Sequence, residues 1–109
     1  MKLRILIPLF AALVMPASVL AAGKGDAKAG HEVFKAHCQM CHGPDGKGNA
    51  ALAKMLKTTI PDLGSKEVQA LSDAQMREVI EKGKAKMTPV KGLSAADIDN
   101  VIAFVRTLK

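Results

Sequence analysis

The chain has 109 residues, a formal charge of +6, no tryptophan or tyrosine and three phenylalanines. That length suits one small domain, and a moderately basic surface without interleaved aromatics or repeats argues against nucleic acid as a partner. So few aromatic side chains are a thin stock for a self-sufficient core, so a bound apolar body is expected to fill the centre.

Lys2 and Arg4 open the chain, residues 5–14 are an apolar run, and residues 16–22 are small and less apolar. This is the pattern of a secretory signal peptide. Val19 and Ala21 fit the small positions of a cleavage site, so residues 1–22 are read as a signal cut near Ala21 or Ala22, and residues 23–109 as one domain. A retained membrane anchor fits poorly, because Pro8 and Pro16 interrupt a stretch already short of the ~20 residues a span needs. The expected product is a periplasmic protein of a bacterium, with no stable membrane insertion after cleavage. Losing Lys2 and Arg4 lowers its formal charge from +6 to +4.

Asp26 is a good helix N-cap, and Ala27, Gly30, Val33, Phe34, His37, Cys38 and Cys41 recur near helical spacing, predicting a helix over 27–38 with a turn beyond. The glycine-rich 43–49 segment predicts an irregular loop. Short helices are expected over 50–56 and, after a Ser65 cap, over 66–71. Ser72 and Gln75 form a capping box ahead of the Met76, Val79 and Ile80 stripe, which ends at Gly83. Residues 84–92 are polar, basic and broken by Pro89, hence loop. Ser94 caps a final helix over 95–108, with Ile98, Val101, Ile102, Val105 and Leu108 on one side and Phe104 beside them. The fold class is all-α.

Cys38-Gln39-Met40-Cys41-His42 carries the chemistry. Positions i, i+3 and i+4 share one face if helical geometry persists, so two thiols and an imidazole can meet one planar ligand. The spacing predicts covalent attachment of one haem c, with Cys38 and Cys41 bonded to its vinyl groups and His42 as proximal iron ligand. Zinc is the weaker alternative: with His31 or His37 as a fourth ligand, all candidates would lie within one helix, against the usual separation of two ligand pairs. A thiol-disulfide oxidoreductase would place its cysteine pair in a strand-rich unit, and no alternating β-branched run exists to build one.

The sixth iron ligand must come from elsewhere. His37 and His31 lie on the helix of the motif and cannot cross the haem plane, and Met40 is inside the motif. Met76 belongs to a core stripe and Met55 to a weak segment. Met87 stands in a polar loop between two firm helices, followed by Thr88-Pro89, which hold the backbone extended. Met87 is therefore read as the distal ligand. A soft thioether favours ferrous iron and raises the potential, as suits a one-electron carrier.

These residues together resemble the class I, single-haem c-type cytochromes over nearly all of the expected mature chain. Gly30 and Phe34 precede the Cys38 to His42 motif. The Gly43-Pro44-Asp45-Gly46-Lys47-Gly48 loop, Pro61-Asp62-Leu63, Met87-Thr88-Pro89 and Val101-Ile102-Ala103-Phe104-Val105 follow it in order. The resemblance implies a cytochrome c fold, three main helices plus short helical segments around one haem, with Gly30, Phe34, Val101 and Phe104 at a right-angled crossing of the first and last helices. It further implies that a proline carbonyl, of Pro44 or Pro61, accepts the other N–H of His42. Phe104 stands where Tyr or Trp is frequent in the family.

The expected function is an exported, non-enzymatic electron carrier cycling Fe(II)/Fe(III) between larger redox proteins, with Lys82, Lys84, Lys86 and Lys91 steering acidic docking surfaces. The alternative is a haem protein with an open or labile distal site, peroxidase-like or gas-binding.

Overall fold

The structure, a computed structural model, describes residues 25–109; the signal-peptide reading lies outside those residues. Six helices follow in order: α1 (Ala27–His37), α2 (Gln39–His42), α3 (Ala50–Met55), α4 (Lys66–Gln69), α5 (Asp73–Lys82) and α6 (Ala95–Arg106). Among the described residues the only β-type pairing is an isolated bridge between Lys84 and Met87. No described helix is long and apolar enough to cross a membrane.

Side-chain caps set the helix starts. Asp26, Asn49, Ser65, Ser72 and Ser94 each accept a hydrogen bond from a first-turn backbone N–H, satisfying donors that a helix start leaves orphaned. Ser72 with Gln75 forms the expected capping box, and Ser94 with Asp97 forms a second. One expectation needs correcting: α1 does not run on through Cys38. The backbone there turns to φ −120°, ψ −34°, and α2 restarts after it.

Crossing of α1 and α6 organises the molecule. Gly30 lies against the α6 backbone so closely that an added Cβ would sit on the Asn100 carbonyl. Beside this contact Phe34 and Val101 are fully buried. The Phe34 ring meets Phe104 at 5.0 Å between centroids, and His31 stacks on Phe104 at 4.6 Å. At the start of α1, the Asp26 N–H donates to Asn100 Oδ1 at 2.9 Å.

A second cluster, Met76, Ile98 and Ile102, seats α5 on α6, with Leu71, Ile80 and Val105 against it. Arg106 locks that arrangement. Its guanidinium donates to the Gln69 carbonyl at 2.8 Å, the Leu71 carbonyl at 2.6 Å and the Asp73 carboxylate at 2.8 Å. Gln69 in turn donates to the Leu63 and Val105 carbonyls at 2.8 and 3.0 Å. These bonds hold the middle of the chain to α6 without a large apolar core. Only Phe34, Met76, Ile98, Val101 and Ile102 are buried hydrophobics among the described residues, consistent with a domain that closes around something else.

Candidate functional site

The interior opens into a cavity of about 570 Å³, within the range of small-molecule and cofactor sites. Phe34, Val101, Ile102 and Val105 line it from α1 and α6, and Met76, Val79 and Ile80 from α5. The middle segment adds Leu56, Ile60, Pro61 and Leu63, so the wall is dominantly apolar.

Cys38, Cys41, His42 and Met87 all line this one cavity. The other candidates are placed elsewhere. His31 is occupied by its stack on Phe104, His37 is exposed, and Met40 and Met55 are 79% and 76% exposed. Met76 reaches the wall but is a buried member of the α5–α6 cluster.

Although α1 breaks at Cys38, the motif keeps a helical turn: the His42 N–H donates to the Cys38 carbonyl at 3.0 Å. The following loop does not leave the site, as turn chemistry alone suggests. It folds back on the end of α2, where the Gly48 N–H donates to the His42 carbonyl at 2.7 Å and the Asn49 N–H to the Cys41 carbonyl at 2.9 Å. The Asn49 side-chain amide adds a bond to the Met40 carbonyl at 3.1 Å while its oxygen caps α3. In the sequence Asn49 reads only as part of the loop, and neither its cap nor its second bond is expected there.

Met87 is held by a tight turn. Lys84 and Met87 exchange backbone N–H to carbonyl bonds, each 2.9 Å, and the Val90 N–H fixes the loop to the Ile80 carbonyl at 2.9 Å. Gly83 enters the turn at φ +76°, ψ 174°, a conformation essentially reserved for glycine, and an added Cβ would press on the Met87 carbonyl. Gly83→Ala is therefore expected to cost about 2–4 kcal/mol, read as a thermal midpoint lowered by roughly 10–20 °C.

The electrostatics of the motif suit an apolar ligand. Burial pushes the Cys38 thiol up to about 11, with the neighbouring Cys41 adding to the effect. A redox-active pair needs the opposite, a nucleophilic thiol held low. Burial lowers the His42 pKa, keeping the imidazole neutral and able to bind metal. Its Nδ1 is buried without a hydrogen-bond partner, leaving Nε2 as the ring nitrogen with access to the cavity.

Because that pKa is lower in the folded chain than its ordinary value of about 6.5, the unfolded chain takes up the proton first. Stability from this group is complete above that value and lost as pH falls below it toward the lowered one. With a metal on Nε2 the imidazole would not take up that proton, so this dependence belongs to the metal-free chain.

A haem fits these residues: a large apolar cavity, two thiols and an imidazole on one turn, and a thioether on a separate turn. Residues 25–105 match the family described as "Cytochrome C oxidase, cbb3-type, subunit III". The chain is 32% identical over 93 residues to cytochrome c-554(547) of Halothiobacillus neapolitanus, covering 78% of this chain and 99% of that protein. Among solved structures it is similar to KustC0563 c-type cytochrome, with a TM-score of 0.63, 30% identity, and coverage of 73% of this chain and 96% of the other.

Proposed function

The chain belongs to the cytochrome c family and carries covalently bound haem c, and on that premise we propose that it is an exported single-haem electron carrier with His42 and Met87 as axial ligands. The observation that carries this reading is the convergence of Cys38, Cys41, His42 and Met87 on one apolar cavity. When bound, the haem supplies a one-electron Fe(II)/Fe(III) couple.

The chain's residues set how that couple behaves. Cys38 and Cys41 would tether the ring through thioether bonds, so the cofactor is not lost in a dilute extracytoplasmic compartment. His42 would bind through Nε2, with Nδ1–H donating to a carbonyl. Of the two prolines that the resemblance leaves open, Pro61 lines the cavity and Pro44 does not, which supports Pro61 as the acceptor. Met87 would supply the soft ligand that favours the ferrous state. Phe34, Ile102 and Val105 keep water from the ring, limiting solvent reorganisation as charge changes.

Residues 82–92 carry Lys82, Lys84, Lys86 and Lys91 and no acidic residue, which supports docking on acidic surfaces of larger redox proteins. Electron-transfer rates with such a partner are expected to fall as salt rises. A salt-independent rate would remove the docking role.

Attachment is tested by haem staining after denaturing electrophoresis of the exported protein. Stain is expected in the wild-type chain and absent after Cys38→Ala with Cys41→Ala. A chain of correct mass without stain would refute the reading.

A further inference from the structure

The cavity that would hold the haem is walled mostly by apolar residues, and its few polar ones besides the motif, Thr58, Thr59, Lys84, Lys86 and the acidic Glu67, bear on where the ring's two carboxylates can go. Propionates placed against a low-dielectric wall need a cation or hydrogen-bond donors. Arginine is the usual choice for a carboxylate, but neither arginine of the described residues is free to serve. Arg77 pairs with Asp99 and lies 3.6 Å from Glu81. Arg106 is spent on Asp73 and the Gln69 and Leu71 carbonyls. Neither is on the cavity wall, and tryptophan and tyrosine donors do not occur in the chain.

Among the described residues, Lys84 and Lys86 are the only basic ones besides His42 lining the cavity. Among the described residues neither has a carboxylate within ion-pair distance, whereas Lys82 in the same run pairs with Glu78 at 3.3 Å. Both sit in the turn that carries Met87, with Ala85 between them at φ +52°. Positive φ is disfavoured in a residue with a Cβ, so the turn is held against a local preference. Two more donors share the wall: the Thr58 and Thr59 side chains, reached after another positive φ at Lys57, +52°.

We propose that Lys84 and Lys86 hold the propionate carboxylates of the haem, with the Thr58 and Thr59 hydroxyls as additional donors. The inference rests on the haem reading above and extends it to which residues orient the ring. The long apolar stem of a lysine can lie along such a wall with its ammonium group at the wet edge, and both residues are exposed as well as lining the cavity. The same turn then engages the cofactor twice, through Met87 at the iron and through Lys84 and Lys86 at the carboxylates. These two lysines are positioning residues, distinct in role from Lys91, which is equally exposed but off the cavity wall.

The test uses the exported, haem-loaded protein and two readouts, the propionate-bending band in the resonance Raman spectrum and the reduction potential. Lys84→Gln with Lys86→Gln is expected to shift the band and lower the potential, because lost positive charge near the iron favours the ferric state. Lys91→Gln, an equal change per site, is expected to leave the band in place. Lys84→Arg with Lys86→Arg is expected to restore the wild-type potential. A wild-type band in the double glutamine variant, with haem still covalently attached, would overturn the lysine assignment and leave the haem reading intact. Absence of haem from the wild-type protein would overturn both.

Discussion

Gly30→Ala is expected to cut the yield of folded, haem-loaded protein sharply and to lower its thermal midpoint. An isolated helix would gain about 1 kcal/mol from the exchange. Here the new Cβ would fall on the Asn100 carbonyl of α6, and a backbone atom cannot step aside as a flexible side chain does. Relief requires α1 and α6 to separate, which unpacks Phe34 and Val101, the two most completely buried side chains. It also loosens the 5.0 Å Phe34–Phe104 contact. Overpacking of this kind costs roughly 3 kcal/mol or more, a large share of the roughly 5–10 kcal/mol that holds a small domain together. Export yield of haem-stained protein and its thermal midpoint measure the effect. A midpoint equal to or above wild type would show that the crossing tolerates separation.

Met87→Ala is expected to leave the fold standing and change what the iron does. Met87 is only half-buried, and its turn is fixed by backbone bonds between Lys84 and Met87 and from Val90 to Ile80, so truncation at Cβ removes little packing. What goes is the thioether. Loss of a soft ligand favours ferric iron, and the potential should fall on the order of 0.1–0.3 V, part of the ~0.8 V that axial ligand choice spans. The ferric protein should also bind added cyanide or azide readily, which the wild type resists. An unchanged potential, with the wild type already binding cyanide or azide as readily as the variant, would point to the open-site alternative.

The helix starts and the crossing were legible because each rests on short-range grammar. Asp26, Ser65, Ser72 and Ser94 cap as their spacing predicts, and Gly30 with Phe34 marks a close approach that a helix interior otherwise disfavours. Met87 was legible by contrast, an apolar side chain in a basic loop, and the cavity includes it. The break at Cys38 was not legible, because its dihedral change leaves the i, i+4 hydrogen bond to His42 intact and so leaves the spacing unaltered.

Contacts made between distant residues were also out of reach. Arg106 reads as an ordinary basic residue near a helix end, yet it holds two carbonyls and a carboxylate more than thirty positions away. The return of residues 48 and 49 to the carbonyls of α2 likewise depends on where the chain goes, not on its turn propensities. Thr58, Thr59 and Pro61 join the wall for the same reason: the segment has weak local preferences, and the bonds at its end, from the Leu63 N–H to the Gly46 carbonyl and from Gln69 to the Leu63 carbonyl, depend on the path of the chain.

Optical spectra of the haem-loaded wild-type protein, taken with a pyridine haemochrome assay, test the pairing of His42 and Met87 on covalent haem most directly. One haem per chain is expected, with the pyridine spectrum of a ring whose vinyl groups are saturated by thioethers. The ferric protein should show the weak near-infrared methionine-to-iron charge-transfer band, and that band should vanish in Met87→Ala. A ferric wild-type spectrum without the band, or one in which the band survives Met87→Ala, would contradict the assignment of Met87 to the iron.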